Sequence, residues 1–463
     1  MFQCLQAGIH HEWDEETHQR KQQREEMLSQ ETPQQLQELE QETQKPGTEE
    51  PDFYWEAWIF AAMVIWWFCI VAGVLIVHYF SRKSHDPDRN GESENNSSGD
   101  EEQNLAYRSQ VVNDLVDDLL CAIREHLPKS FYAVLQTAMK VGSVFEGWDP
   151  HEDDAVYQML VPLKPPCGYT FHLELGSTED IPERNFSVRV QLECTCTTEQ
   201  PSKERLCLLH NPEKNLSRNE HLSLLNTLCT RSYLDIHKTA LWFQKQVRSA
   251  WVLVPQSHHY NMVVLPSSCS CKLRLTSSSM RSLLVEVLFG VQQGDSDIFL
   301  SSQSSETAFN PSTMWLESYA VAEFKFFRNM ALRVPYNSIH LKCLQIFARI
   351  VVGTCYSTYT MKTIVMHLLT TIPLSGWCRR HFLLRLMDIM GCLCCCLENA
   401  RLNHFFFGNE NVPEEIILPP ALRTAKPFNL FQHIEEDPDT QAEALGQYHF
   451  LLERLQMLLF YGH

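Results

Sequence analysis

A chain of 463 residues with 38 Lys and Arg against 57 Asp and Glu carries a formal net charge of −19, and 44% of its residues are hydrophobic. The apolar share suffices for a sizeable core and excludes wholesale disorder, while the length allows two or three folded units. The acidic balance excludes a general nucleic-acid binder, which needs a basic stripe to displace phosphate counterions, and 17 cysteines are too sparse for a small disulfide scaffold.

Residues 1–53 form an acidic Glu/Gln-rich arm, with thirteen acidic residues against four basic ones (Arg20, Lys21, Arg24, Lys45). Its start lacks the basic region and apolar run of a signal peptide. Ala57 to Val77 then reads AWIFAAMVIWWFCIVAGVLIV, without a charge. At 1.5 Å per residue, about 20 residues cross a ~30 Å hydrocarbon core. Tyr54, Trp55 and Trp58 at one end and Tyr79 at the other suit the two interfaces. The sequence therefore predicts one transmembrane helix with its flanks at 54–80, and membrane lipid as the partner of residues 57–77. Glu49, Glu50, Asp52 and Glu56 precede the span, and Arg82, Lys83 and Arg89 follow it. The positive-inside rule then places the C-terminal side in the cytosol and the arm outside or in a lumen; the expected location is the cell membrane, with the arm extracellular. Sequons after the span, such as Asn185-Phe186-Ser187, read as chance matches in a cytosolic domain.

Residues 81–104, rich in Asp, Glu, Asn, Ser and Gly, read as a flexible linker. Helical spacing follows over Val111–Leu127. Strands are predicted at Val156–Leu163, Thr170–Leu175, Ser187–Cys196, Ala250–Val254, Tyr260–Leu265, Cys271–Leu275 and Ser282–Val291. Helices are predicted at Glu220–Cys229, His237–Val247 and Trp315–Leu332. After Ile339 the pattern is helical, at Leu341–Val352, Tyr359–Leu369, Trp377–Leu402 and Ala442–Leu459. The fold class is α+β: a mixed lobe over 105–338, then a helical lobe over 339–463.

Gly142-Ser143, FEGW (Phe145–Trp148), MLVPLKPP (Met159–Pro166), SCKLRL (Ser270–Leu275), FGVQ (Phe289–Gln292), HLKCLQI (His340–Ile346), MKTIVMHLL (Met361–Leu369), LNHFFFGN (Leu402–Asn409) and PFNLFQHI (Pro427–Ile434) occur in that order. Together they resemble the inositol 1,4,5-trisphosphate receptor-interacting protein-like family, within the Mab-21 and cyclic GMP-AMP synthase-like nucleotidyltransferases. The resemblance implies a nucleotidyltransferase-like lobe followed by a helical Mab-21-like lobe. It also implies association with inositol trisphosphate receptor channels and modulation of calcium release.

Nucleotidyl transfer uses two Mg²⁺ ions held by carboxylates. The family fold supplies a Gly-Ser turn, here Gly142 and Ser143, an acidic pair two residues apart on one strand face, and a third acid on a neighbouring strand. Counting back from Val161-Pro162 puts the pair at Val156 and Gln158, neither of which is a carboxylate. Glu152 and Asp154 have the right mutual spacing but lie upstream, in the loop-like DPHEDDA. Glu286, in LLVEVL, is the candidate third acid. The expectation is a pseudoenzyme with no catalytic residue, no cofactor and no resident metal. The competing reading is a Mg-dependent nucleotidyltransferase using Glu152, Asp154 and Glu286.

Cys194-x-Cys196 and Cys269-x-Cys271, with Cys207 or His210, would be a zinc set, but single-residue spacing is less usual than two. The cysteine run within Leu393–Leu397 and the aromatics of His404–Phe407 read as packing in the helical lobe. The sequence thus predicts a membrane protein that binds a protein partner, and no nucleic acid. An alternative is a cell-surface ligand whose acidic arm binds an immune receptor such as the T-cell receptor complex.

Overall fold

The computed structural model describes residues 93–126, 134–150, 155–165, 169–176, 184–193, 227–277, 282–303, 311–335 and 338–461. The arm, the span at 57–77, Glu152 and Asp154, and the cysteines 194, 196 and 207 with His210 lie outside these residues. Among the described residues no helix is long and apolar enough to cross a membrane.

Helix α1 (Ser93–His126) starts inside the stretch read as a linker. No proline interrupts Ser93–Asn104, and extending a formed helix costs far less than nucleating one. Its anchor is the stripe Val112, Leu115, Val116, Leu119, Leu120 and Ile123, all buried. Next come β1 (Val134–Leu135), β2 (Met139–Val141), α2 (Ser143–Glu146), β3 (Val156–Lys164), β4 (Tyr169–Leu175) and β5 (Asn185–Leu192). The hairpin β6 (Cys229–Thr230) and β7 (Tyr233–Leu234) turns through Arg231 and Ser232, both at positive φ, as a two-residue turn of this hand requires.

Asp235 caps α3 (Ile236–Ala250): its Oδ1 accepts the Lys238 N–H at 3.0 Å, and its Oδ2 accepts the hydroxyls of Thr230 and Ser312. Burial alone would raise this carboxyl, but the Lys238 N–H and the two hydroxyls outweigh it and hold the pKa below the ordinary value. The strands β8 (Asn261–Leu265), β9 (Cys271–Thr276), β10 (Leu283–Gln292), β11 (Phe299–Ser301) and β12 (Met314–Ser318) complete the mixed lobe. The helical part is α4 (Ala320–Arg333), α5 (His340–Ile350), α6 (Thr358–Thr371), α7 (Phe382–Glu398), α8 (Pro420–Arg423), α9 (Gln432–Glu435) and α10 (Pro438–Tyr461).

The described strands form one twelve-stranded sheet along the path β1-β3-β10-β11-β12-β5-β7-β6, with β2 on β3, β4 on β5, and β9 and β8 beyond β10. β10 lies parallel to β3, whereas its other pairings are antiparallel. One sheet face (Tyr157, Met159, Val161, Val285, Val287, Phe289) packs with α1 and α3 into a single core. On the other face Leu160 and Leu288 meet Val321 of α4, and the helices behind α4 form a separate core.

Four predicted elements are corrected. Ala250–Val254 is the end of α3 and a 3₁₀ turn (Trp251–Leu253), because Val252 and Leu253 face solvent where no strand edge lies. Trp315–Ser318 is strand β12: Trp315 pairs with Phe186 of β5, its ring is buried, and its indole donates to the Leu234 carbonyl at 3.0 Å. Cys229 belongs to β6, where it pairs with Leu234 across the hairpin. The helix predicted at Trp377–Leu402 spans only Phe382–Glu398, since the buried Trp377 precedes a separate 3₁₀ turn at Arg379–His381.

Candidate functional site

The turn from β2 into α2 is built on Gly142, at φ +85°. A Cβ there would sit 2.6 Å from Gln158 Oε1, so both conformation and space demand glycine. The Ser143 hydroxyl donates to the Asp149 carboxylate, and the Trp148 N–H donates to the Ser143 carbonyl at 3.0 Å. Asp149 and Pro150 are held from the helical lobe, through Gln345 and Arg349 donating to their carbonyls.

On β3, Val156 and Gln158 share the face that looks toward this turn, because strand side chains alternate. The parallel register sets Val156 against Leu284 and Gln158 against Glu286, and the antiparallel register sets Glu286 against Lys272. Gln158, Glu286 and Lys272 therefore form one row across three strands. Gln158 Nε2 donates to Glu286 Oε2 at 3.1 Å, Ser270 Oγ donates to Oε1 at 2.8 Å, and Lys272 Nζ lies 3.4 Å from Oε1. The buried Ser270 is itself fixed by Ser267 and by Gln244, which donates to its carbonyl at 2.9 Å.

The structure brings Gly142, Gln158 and Glu286 close together, with Ser143 in the same turn and Val156 exposed at the row's end. Glu286 stands opposite Gln158, where a third acid would face its partners. Sequence reading missed Ser270, Lys272 and Asp149. The first two lie in SCKLRL, where strand alternation gives the face Lys272 shares but not that this face meets Glu286. Each oxygen of Glu286 accepts a donor, and the Lys272 ammonium lies 3.4 Å from Oε1. Among the described residues no group of three or more His, Cys, Asp or Glu is placed to hold a metal ion. Cys271 is buried, and burial pushes its thiol up to about 12. A cleft of about 780 Å³, lined by Arg184, Arg401, Phe407, Lys426 and Phe428 among others, contains none of the predicted site residues.

A second constellation joins the two lobes. Lys362 of α6 bridges Glu146 of α2, at 2.8 Å, and Glu323 of α4. Their side chains are 6%, 0% and 9% exposed. Trp148 donates its indole N–H to Glu146 at 2.6 Å, and the Lys362 ammonium lies 5.6 Å from the ring centroids of Trp148 and Phe327. Burial raises the Glu146 carboxyl. For Lys362, burial works to lower the ammonium's pKa, but the two carboxylates outweigh it and raise the value.

A family model for the Mab-21 protein HhH/H2TH-like domain matches residues 341–417, which run from α5 through α7 and include Lys362. Inositol 1,4,5-trisphosphate receptor-interacting protein-like 1 of Rattus norvegicus is 34% identical over 366 residues, covering 77% of this chain and 67% of its own. The chain belongs to the inositol 1,4,5-trisphosphate receptor-interacting protein-like family. The Mus musculus protein of the same name matches to the same extent. Inositol 1,4,5-trisphosphate receptor-interacting protein of Homo sapiens is 28% identical over 380 residues, covering 76% of this chain and 68% of its own. In this member of the family, FEGW and MKTIVMHLL meet through the Glu146–Lys362 pair, so two segments far apart in sequence form one contact.

Proposed function

We propose that this chain is a single-pass membrane protein whose α+β domain binds a protein partner and does not transfer nucleotides. The partner we propose is the inositol trisphosphate receptor, for which its relatives are named, with modulation of calcium release as the consequence. The domain lies on the cytosolic side and residues 57–77 cross the cell membrane. The observation that carries the non-catalytic reading is Glu286. A divalent ion needs free carboxylate lone pairs. Here the Gln158 amide and the Ser270 hydroxyl each occupy a lone pair of Glu286, and the Lys272 ammonium, 3.4 Å from Oε1, already sets a positive charge beside it. A neutral amide at 158 cannot supply the second negative charge of a two-metal site.

The test is calorimetric titration of MgCl₂ and nucleoside triphosphates into the full chain, beside co-precipitation of the receptor from cells. No saturable heat with receptor recovery supports the proposal. Saturable binding of Mg²⁺ and triphosphate that Glu286→Gln abolishes, together with turnover, overturns it. Receptor recovery that is unchanged by unfolding substitutions in the helical lobe overturns the assignment of binding to this domain.

A further inference from the structure

The outer face of α3 and the turn after it expose side chains that neither core covers. Leu241 is 53% exposed, Val252 74% and Leu253 52%. The exposed Lys245 and Arg248 lie between them. The spacing 241, 245, 248, 252 aligns these side chains along one side of the helix. The exposed His258 and His259 follow. α1 runs alongside, where Gln256 donates to Asp118 at 2.8 Å. In a chain of net charge −19 this face therefore gathers cations and large apolar groups.

That combination matches the headgroup region of an anionic bilayer. Cations attract acidic lipids, and apolar groups enter the boundary. Chain length favours a bilayer over a soluble partner. Fifteen residues separate Val77, the end of the apolar run, from Ser93, where α1 begins. Even fully extended, they keep the start of α1 within about 50 Å of the membrane surface.

We propose that the α3 face from Leu241 to Leu253 docks on the bilayer. Leu241, Val252 and Leu253 enter the headgroup layer, and Lys245 and Arg248 pair with anionic phospholipid headgroups. This rests on residues 57–77 being a membrane span.

The experiment uses the full chain in nanodiscs of phosphatidylcholine, with and without phosphatidylserine, and follows amide hydrogen exchange over residues 251–259. Exchange is expected to slow about tenfold with phosphatidylserine. Lys245→Glu with Arg248→Glu, and separately Val252→Ser with Leu253→Ser, are expected to restore the faster rate with unchanged circular dichroism. Equal exchange in both discs, or protection untouched by both variants, overturns the docking. So does protection that appears only when a soluble protein is added. Alkaline carbonate extraction separates the premises: retention in the membrane with an unprotected turn refutes the docking alone, and release refutes the span and the docking together.

Discussion

Two lysine–carboxylate sites lie on opposite sides of the chain's chemistry. In the cradle, Lys272 is 46% exposed and Glu286 12%, and neutral donors share the load. Between the lobes, Lys362 is 6% exposed and balances two carboxylates almost without water. The first pair can lose its lysine and let solvent take its place. The second cannot, because removing the cation leaves two buried like charges. The same residue types therefore hold a partly exposed carboxylate among neutral donors in one place and fasten two lobes in the other.

The comparison breaks most directly at Lys362. Lys362→Met is expected to destabilise the full chain by about 3–5 kcal/mol, read by urea or thermal unfolding. Glu146→Gln, which leaves Lys362 paired with Glu323, should cost under about 1 kcal/mol. Equal losses from the two variants would refute the view that Lys362 is the keystone.

Acid sharpens it next. Burial lowers His340 to about 4; burial, with His367 nearby adding to it, lowers His404 to about 3. A depressed folded pKa means stability that is full above about 6.5 and lost as pH falls through 6.5 toward 4 and then 3. His340 alone accounts for about 3 kcal/mol of that loss by pH 4. Glu146 runs the other way, because its raised carboxyl favours the fold at lower pH. Melting temperature should therefore drop from pH 6.5 to 4, less steeply in His340→Gln. A flat profile would contradict the buried neutral imidazoles.

A smaller effect tests the cradle's backbone. Gly142→Ala meets both the positive φ and Gln158 Oε1, and should cost about 1–2 kcal/mol. Adding Gln158→Ala should recover the steric part only. The smallest effect is Lys272→Ala, expected to change stability by no more than about 1 kcal/mol, since half-exposed pairs contribute little. A loss as large as that of Lys362→Met would erase the distinction between the sites.

Long, alternating or continuously apolar runs were legible, and β3, β4, β8, β9 and β10 lie where their patterns place them. So does the core helix α3, and the aromatics His404–Phe407 are buried as packing residues. The short strands were not legible. β1, β6 and β7 have two residues each, and the Arg231-Ser232 turn carries none of the usual Asn-Gly chemistry. Trp315 read as helix because one aromatic with apolar neighbours fits either period. In the cradle, counting along one strand located Gln158, whereas Ser270 and Lys272 reach Glu286 only through strand pairing.

By itself the sequence determined the α+β division, the run of strand patterns from β8 to β10 and the charge-free apolar run, because these are properties of local pattern and residue type. Tertiary structure decided what satisfies Glu286 and what Lys362 holds. Lys362 stands 216 residues from Glu146 and 39 from Glu323, and no period in the chain connects them. Only burial, which makes an unpaired charge costly, brings them to one point.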